Sequence, residues 1–101
     1  MKVVINTNHE NKDHYTELYN IIKRSEEDLL NHIPNLQEIS VDVARITSSI
    51  ASNLYGVITK HTLVDDESQL HISVKYRTDP TPEQIAKGVT QELKHIKEKY
   101  Y

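Results

Sequence analysis

The sequence predicts an α+β fold with the element order β-α-β-β-β-α, in which two helices pack on one face of a mostly antiparallel sheet. Apolar and polar residues alternate over residues 69–77, which is typical of a half-buried strand. A capping-box helix start follows, with Thr81 as the N-cap, then Pro82, and Gln84 at the third helical position. Apolar residues at spacings of three and four then predict an amphipathic C-terminal helix: Ile85, Val89, Leu93, Ile96 and Tyr100.

The N-terminal third predicts a strand followed by a helix. An apolar run at residues 3–5 indicates a short strand within residues 2–6. Pro34 lies in the polar stretch 31–35 and predicts where the helix ends. From about Lys12 up to that point, helical spacing relates Tyr15, Leu18, Ile22, Leu29 and Ile33.

A hairpin is predicted in the second half of the chain. Residues 56–64 and 69–77 form its strands, joined by the polar turn 65–68, so that His61 pairs with Ile72. The face predicted to be core carries Val57, His61, Leu63, Leu70, Ile72, Val74 and Tyr76. The opposite face carries Ile58, Lys60, Thr62, His71, Ser73, Lys75 and, at its end, Arg77.

The middle of the chain fits two structures. Alternation of Ile39, Val41 and Val43 predicts a strand at about residues 37–47, with Asp42 facing solvent. The spacing of Val43, Ile46, Ile50 and Leu54 instead fits a helix over residues 43–55, which Gly56 could terminate. We favour the strand followed by a connection. A helix there would change the order to β-α-α-β-β-α.

Composition limits the function classes. The 101 residues suit one domain, 1–101. Twelve Lys and Arg against fifteen Asp and Glu give a formal charge of −3, so nucleic-acid binding would require a local basic surface. The sequence has no cysteine, which excludes disulfides and thiolate chemistry, and no apolar run long enough to span a membrane. The short N-terminal run does not resemble a signal-peptide core, so we expect a cytoplasmic protein.

One helical segment approaches a zinc-peptidase motif. Residues 91–95 read Gln-Glu-Leu-Lys-His, whereas the HExxH helix needs two imidazoles four residues apart and a Glu general base. Gln91 stands at the first ligand position and is a poor zinc ligand, so we expect no metal site. The sequence also lacks a nucleophile motif and a glycine-rich phosphate loop. We therefore expect neither catalysis nor a bound cofactor.

Six cations in two groups are the candidate RNA-binding residues. They are Lys60, Lys75 and Arg77 on the outer face of the predicted sheet, and Lys87, Lys94 and Lys97 on the C-terminal helix. Two adjacent basic strips could follow a phosphate backbone. Exposed lysines are also ordinary on a soluble domain, and the acidic residues Glu92 and Glu98 interrupt the helical strip.

Four segments carry a resemblance to a known family. They are VVIN at residues 3–6, the stretch from LYNIIK at 18–23 to IPN at 33–35, ISVDV at 39–43, and ELKHIKEK at 92–99. With the predicted order of elements, the chain resembles the ribosome hibernation-promoting factor and protein Y family. Domains of that family are β-α-β-β-β-α and of similar length, and the likeness covers most of this chain. It implies a non-catalytic module that binds ribosomal RNA of the small subunit.

Two alternatives stand beside that interpretation. Net negative charge, exposed tyrosines such as Tyr100 and Tyr101, and the absence of an enzymatic motif fit a small acidic phage-type inhibitor that binds a partner protein. The E-x-x-H spacing on the last helix fits a degenerate zincin-like scaffold that has lost its zinc.

Overall fold

The computed structural model describes residues 1–7, 12–46, 56–77 and 80–99, with the backbone alone for residues 12–14. Its elements are β1 (Lys2–Thr7), α1 (Lys12–His32), β2 (Glu38–Arg45), β3 (Val57–Val64), β4 (Gln69–Tyr76) and α2 (Pro82–Lys99). The predicted α+β class and the predicted order of elements are therefore confirmed.

The sheet is mixed, and the expectation of a mostly antiparallel sheet was wrong. Its strand order is β1-β2-β4-β3, in which β1 and β4 both run parallel to β2, and β3 runs antiparallel to β4. A crossover helix, α1, allows β1 and β2 to be parallel neighbours. The second strand of the β3–β4 hairpin, β4, pairs with β2, so β4 lies between β2 and β3. Alternation along a strand reports which face is buried and carries no information about the direction of the neighbour.

The predicted register of the hairpin is confirmed. Val64 pairs with Gln69 and His61 with Ile72. The turn between the strands has three consecutive residues in the left-handed region, Asp65, Asp66 and Glu67, with φ of 53°, 55° and 68°. Ser68 closes this turn, because its amide donates to the Asp65 carbonyl at 3.1 Å.

The hydrophobic core lies between the sheet and the two helices, which pack on one face as predicted. Leu18, Ile22 and Leu29 of α1 are buried there, as is Ile33 directly after the helix. The capping box of α2 is present, since Gln84 donates its amide to Thr81 Oγ1 at 3.2 Å and accepts from the Thr81 amide at 2.8 Å. The sheet and α2 contribute Ile39, Val41, Val43, Leu70, Ile72, Val74, Tyr76, Ile85, Val89, Leu93 and Ile96.

The middle segment is a strand over its described part. β2 spans Glu38–Arg45, with Val41 buried and Asp42 exposed, so a helix beginning at Val43 is excluded. The remainder of that segment, residues 47–55, lies outside the described residues, as do Tyr100 and Tyr101. Within the described part of the chain, no helix is long and apolar enough to cross a membrane.

Candidate functional site

The face of the sheet opposite the helices is divided by charge. Its outward-facing side chains are those that alternate with the buried ones along each strand. Acidic residues occupy the β2 side, where Glu38 lies 3.7 Å from Lys2 Nζ and Asp42 accepts from Asn6 Nδ2 at 2.9 Å. Basic residues occupy the β3–β4 side, where Lys60 and Lys75 point outward. Each carboxylate thus has a local partner from β1.

A pocket of about 220 Å³ lies on the basic side of this face. Two cross-strand pairs form most of its lining, because Ile58 stands opposite Lys75 and Lys60 stands opposite Ser73. The fifth described residue of the lining is Ile46, whose amide donates to the Tyr76 carbonyl at 2.7 Å and so extends the β2–β4 pairing by one residue. The pocket therefore combines two ammonium groups and a hydroxyl with two isoleucine side chains.

The lysines of this pocket make no ion pair within the described residues. The salt bridges found there involve other cations, and Lys60 and Lys75 take part in none of them. Both side chains are exposed. Their charges are accordingly open to a ligand from solvent, unlike the carboxylates on the β2 side of the same face.

Arg77 follows β4 directly and continues the outward-facing series of that strand. It is half-buried, and its carbonyl accepts a hydrogen bond from Arg45 Nε at 3.1 Å. Its Nη1 atom is buried and has no hydrogen-bond partner among the described residues. The structure thus brings three of the six predicted cations, Lys60, Lys75 and Arg77, to one side of the sheet.

The three predicted cations of α2 lie on the other side of the sheet. Lys87 and Lys94 are exposed on the helix, which packs against the inner face of β3 and β4. Lys97 is half-buried and ties the two helices together, since its Nζ lies 3.3 Å from Asp28 Oδ2 of α1. The two basic strips therefore lie on different sides of the sheet.

The placement of Glu92 on an exposed helical strip was wrong. Glu92 is buried, with 7% of its surface exposed, and faces the inner side of β3. Its Oε1 lies 2.5 Å from His61 Nδ1, and its Oε2 accepts from Thr59 Oγ1 at 3.0 Å. Helix α2 lies over β3, where the inward-facing positions include a hydroxyl and an imidazole. The sequence held a signal for this, because the hairpin register already placed His61 on the core face, where it required a polar partner.

The zinc-peptidase-like segment has a different arrangement in the structure. Gln91 is exposed, and His95 has 67% of its side chain exposed, with Nδ1 3.9 Å from Glu92 Oε2. Among the described residues, no group of three His, Cys, Asp or Glu side chains could hold a metal ion. His61 and His71 lie on opposite faces of the sheet, as the predicted register requires.

The flank of α1 beside β1 carries a second surface feature. Tyr15 and Tyr19 are exposed, and their rings stack with centroids 6.3 Å apart, while Lys23 Nζ lies 5.8 Å from the Tyr19 ring. One turn further on, the Glu26 carboxylate lies 3.2 Å from the α-amino group of Met1. This hydrogen bond to the amino group, assisted by Lys23, lowers the pKa of Glu26 below its ordinary value of 4.5.

No family model matches this chain, and no curated protein or solved structure is detectably similar to it.

Proposed function

We propose that this protein is a non-catalytic, ribosome-associated RNA-binding module, whose partner is ribosomal RNA of the small subunit. The observation that carries this proposal is the pocket between Lys60 and Lys75 on the open face of the sheet. The resemblance of the sequence to the hibernation-promoting factor and protein Y family supports the ribosome as the source of that RNA. The proposal implies a cytoplasmic location and requires no cofactor.

Electrostatics favour a localised contact over long-range attraction. A formal charge of −3 gives the whole molecule no attraction for RNA. Each carboxylate on the β2 side of the outer face has a partner from β1, whereas the lysines on the β3–β4 side make no ion pair within the described residues. A phosphate group that approaches that side meets Lys60 and Lys75 first, and Arg77 lies beyond them. Lysine and arginine supply the donors that phosphate contacts require.

The placement of the cations also limits the size of the proposed interface. Lys87 and Lys94 lie on the other side of the sheet, and Lys97 is engaged by Asp28. We therefore propose three phosphate contacts, from Lys60, Lys75 and Arg77, instead of six. Three contacts to single-stranded RNA correspond to a slope of about −2 in a plot of log affinity against log salt concentration.

Co-sedimentation with small ribosomal subunits across a series of salt concentrations tests this proposal. We expect the wild-type protein in the ribosomal pellet at low salt, with a loss of affinity that follows the slope of about −2 as salt rises. The double variant Lys60→Gln/Lys75→Gln removes two contacts and should flatten the salt slope by about 1.4. The matched control Lys87→Gln/Lys94→Gln makes the same charge change on α2 and should leave the slope unaltered. Absence of the wild-type protein from the pellet at low salt, or equal effects of both double variants, would contradict the proposal.

The second candidate is an inhibitor that binds a partner protein, and the stacked pair Tyr15 and Tyr19 favours it. Tyrosine is enriched at protein interfaces because its ring supplies contact area at a low entropic cost. A pull-down from the source cell with Tyr15→Ser/Tyr19→Ser and Lys60→Gln/Lys75→Gln separates the candidates. A partner lost only with the tyrosine variant would support the inhibitor. The zincin-like scaffold is supported by its E-x-x-H spacing alone, since Glu92 is buried against β3.

A further inference from the structure

The pocket on the outer face has a composition that suits more than a phosphate. Ile58 has 42% of its surface exposed on a strand whose neighbouring outward positions are polar. A single exposed isoleucine is ordinary on a protein surface. Here it lies beside Ile46 in a concave site that also contains Lys60 and Lys75. An apolar wall next to two cations fits a ligand with one anionic group and one flat, poorly hydrated group.

The size of the pocket restricts this ligand further. About 220 Å³ is smaller than the roughly 300–1,000 Å³ of sites that hold drug-sized ligands. A nucleotide places a phosphate within a few bonds of an aromatic base, and so matches both parts of the lining. The phosphate would accept from Lys60, Lys75 and Ser73, while the base would cover the side chains of Ile46 and Ile58.

Only an unpaired nucleotide can enter such a pocket. In an A-form duplex the bases are stacked inside the helix, and the groove that exposes most of their edges is too deep and narrow for side chains. A duplex could still place phosphates near Lys60 and Lys75, but its bases would not reach Ile58. Loops and single strands present bases that can leave the stack.

We propose that the Lys60–Lys75 pocket binds one unpaired nucleotide, with its phosphate between the two lysines and its base against Ile46 and Ile58. This inference rests on the proposed RNA-binding function and specifies which form of RNA the site accepts. Base identity matters little there, because Ser73 is the single uncharged hydrogen-bonding side chain among the described residues of the lining. The protein therefore prefers single-stranded RNA to duplex RNA.

Equilibrium titrations with three labelled RNAs test the inference. The probes are a single-stranded oligonucleotide, the same strand with abasic residues that retain ribose and phosphate, and the corresponding duplex. We expect the intact single strand to bind most tightly, and the abasic strand to bind roughly fivefold more weakly, because contact between base and isoleucine is lost. The duplex should bind no better than the abasic strand.

Two strand variants locate the effect. Ile58→Thr keeps a β-branched residue in β3 but removes one of the two isoleucine side chains of the apolar wall, so it should reduce the difference between the intact and abasic strands. Val64→Thr makes a similar change on the same strand and face, outside the pocket, and should preserve that difference. Denaturant melts verify that both variants are folded.

The outcomes separate this inference from the proposed function. Equal binding of intact and abasic strands by the wild-type protein would overturn the nucleotide pocket and leave RNA binding in place. Absence of binding to all three RNAs at low salt would overturn both. A polyglutamate peptide that competes as strongly as the intact RNA would show that the pocket takes any anion, and would also overturn the inference.

Discussion

The two faces of the sheet use polar residues in opposite ways, and β3 contributes to both. On the inner face, Thr59 and His61 lie under α2 and are bonded to one buried carboxylate, Glu92. On the outer face of the same strand, Lys60 is exposed beside Ile58 and makes no ion pair within the described residues. The polar side chains of β3 on the inner face are therefore bonded to a group within the protein, whereas Lys60 on the outer face is available to a ligand.

The polar residues at inward positions of β3, Thr59 and His61, have a structural basis. Helix α2 approaches β3 closely at Gly88, where an added Cβ would lie 3.3 Å from Thr59 Cγ2 and from Val57 Cγ1. The absence of a side chain at Gly88 lets Glu92, one turn later, reach the strand. A polar cluster thus joins the edge strand to the helix, where β2 and β4 have apolar contacts. The comparison of β3 with β2 and β4 indicates that a polar residue at an inward position of an edge strand pairs with a polar residue on the helix that covers it.

The largest expected effect compares two isoleucines on the two faces. Ile72 is fully buried and Ile58 is 42% exposed, on adjacent strands of one hairpin. We expect Ile72→Ala to lower the free energy of unfolding by about 2–5 kcal/mol, because it leaves a cavity in the core. Ile58→Ala should cost less than about 1 kcal/mol, from strand propensity and partial burial. Urea melts of both variants give the comparison, and similar losses would mean that the outer face is also covered.

The next effect concerns the buried carboxylate. Glu92→Ala removes the carboxylate that is bonded to Thr59 and His61, so we expect a loss of about 1–3 kcal/mol in the free energy of unfolding. Glu98→Ala, on the exposed side of the same helix, should change it by less than about 0.5 kcal/mol. A double-mutant cycle with His61→Ala measures the coupling directly. Coupling near zero would mean that the cluster is not a unit and that the contrast between the faces is weaker than the geometry indicates.

The smallest effect sharpens the comparison with a half-buried carboxylate, Glu26. The Met1 amino group and Lys23 lower the pKa of Glu26, so its charged form is favoured in the folded state. Its contribution to stability is fully present above its unfolded pKa, about 4.5, and is lost as pH falls through the lower folded value. Glu26→Gln should therefore lose less stability than the wild type between neutral pH and about pH 3. Urea melts at several pH values check this, and identical pH profiles would contradict it.

Local features account for what could be predicted of the fold. The capping box at Thr81, the apolar stripe of α2 and the polar turn at residues 65–68 each depend on neighbours within a few residues. For the same reason, the hairpin register correctly placed Lys60 and Lys75 outside and His61 inside. Two of the cations that matter most to the proposed site were thus assigned to the correct face without a structure.

The sequence by itself determined the order of elements, the inward and outward faces of β3 and β4, and the start of α2, because those follow from short-range periodicity and turn chemistry. Tertiary structure alone decided that β4 lies between β2 and β3. The alternation of apolar and polar residues shows which face of a strand is buried, but it does not specify which strand lies next to it. That position of β4 brings Ile46 next to the lysines and so completes the pocket. The position of α2 over β3 likewise decided the burial of Glu92. A residue at the margin of a helix's apolar stripe is exposed or buried according to which part of the protein lies beneath it.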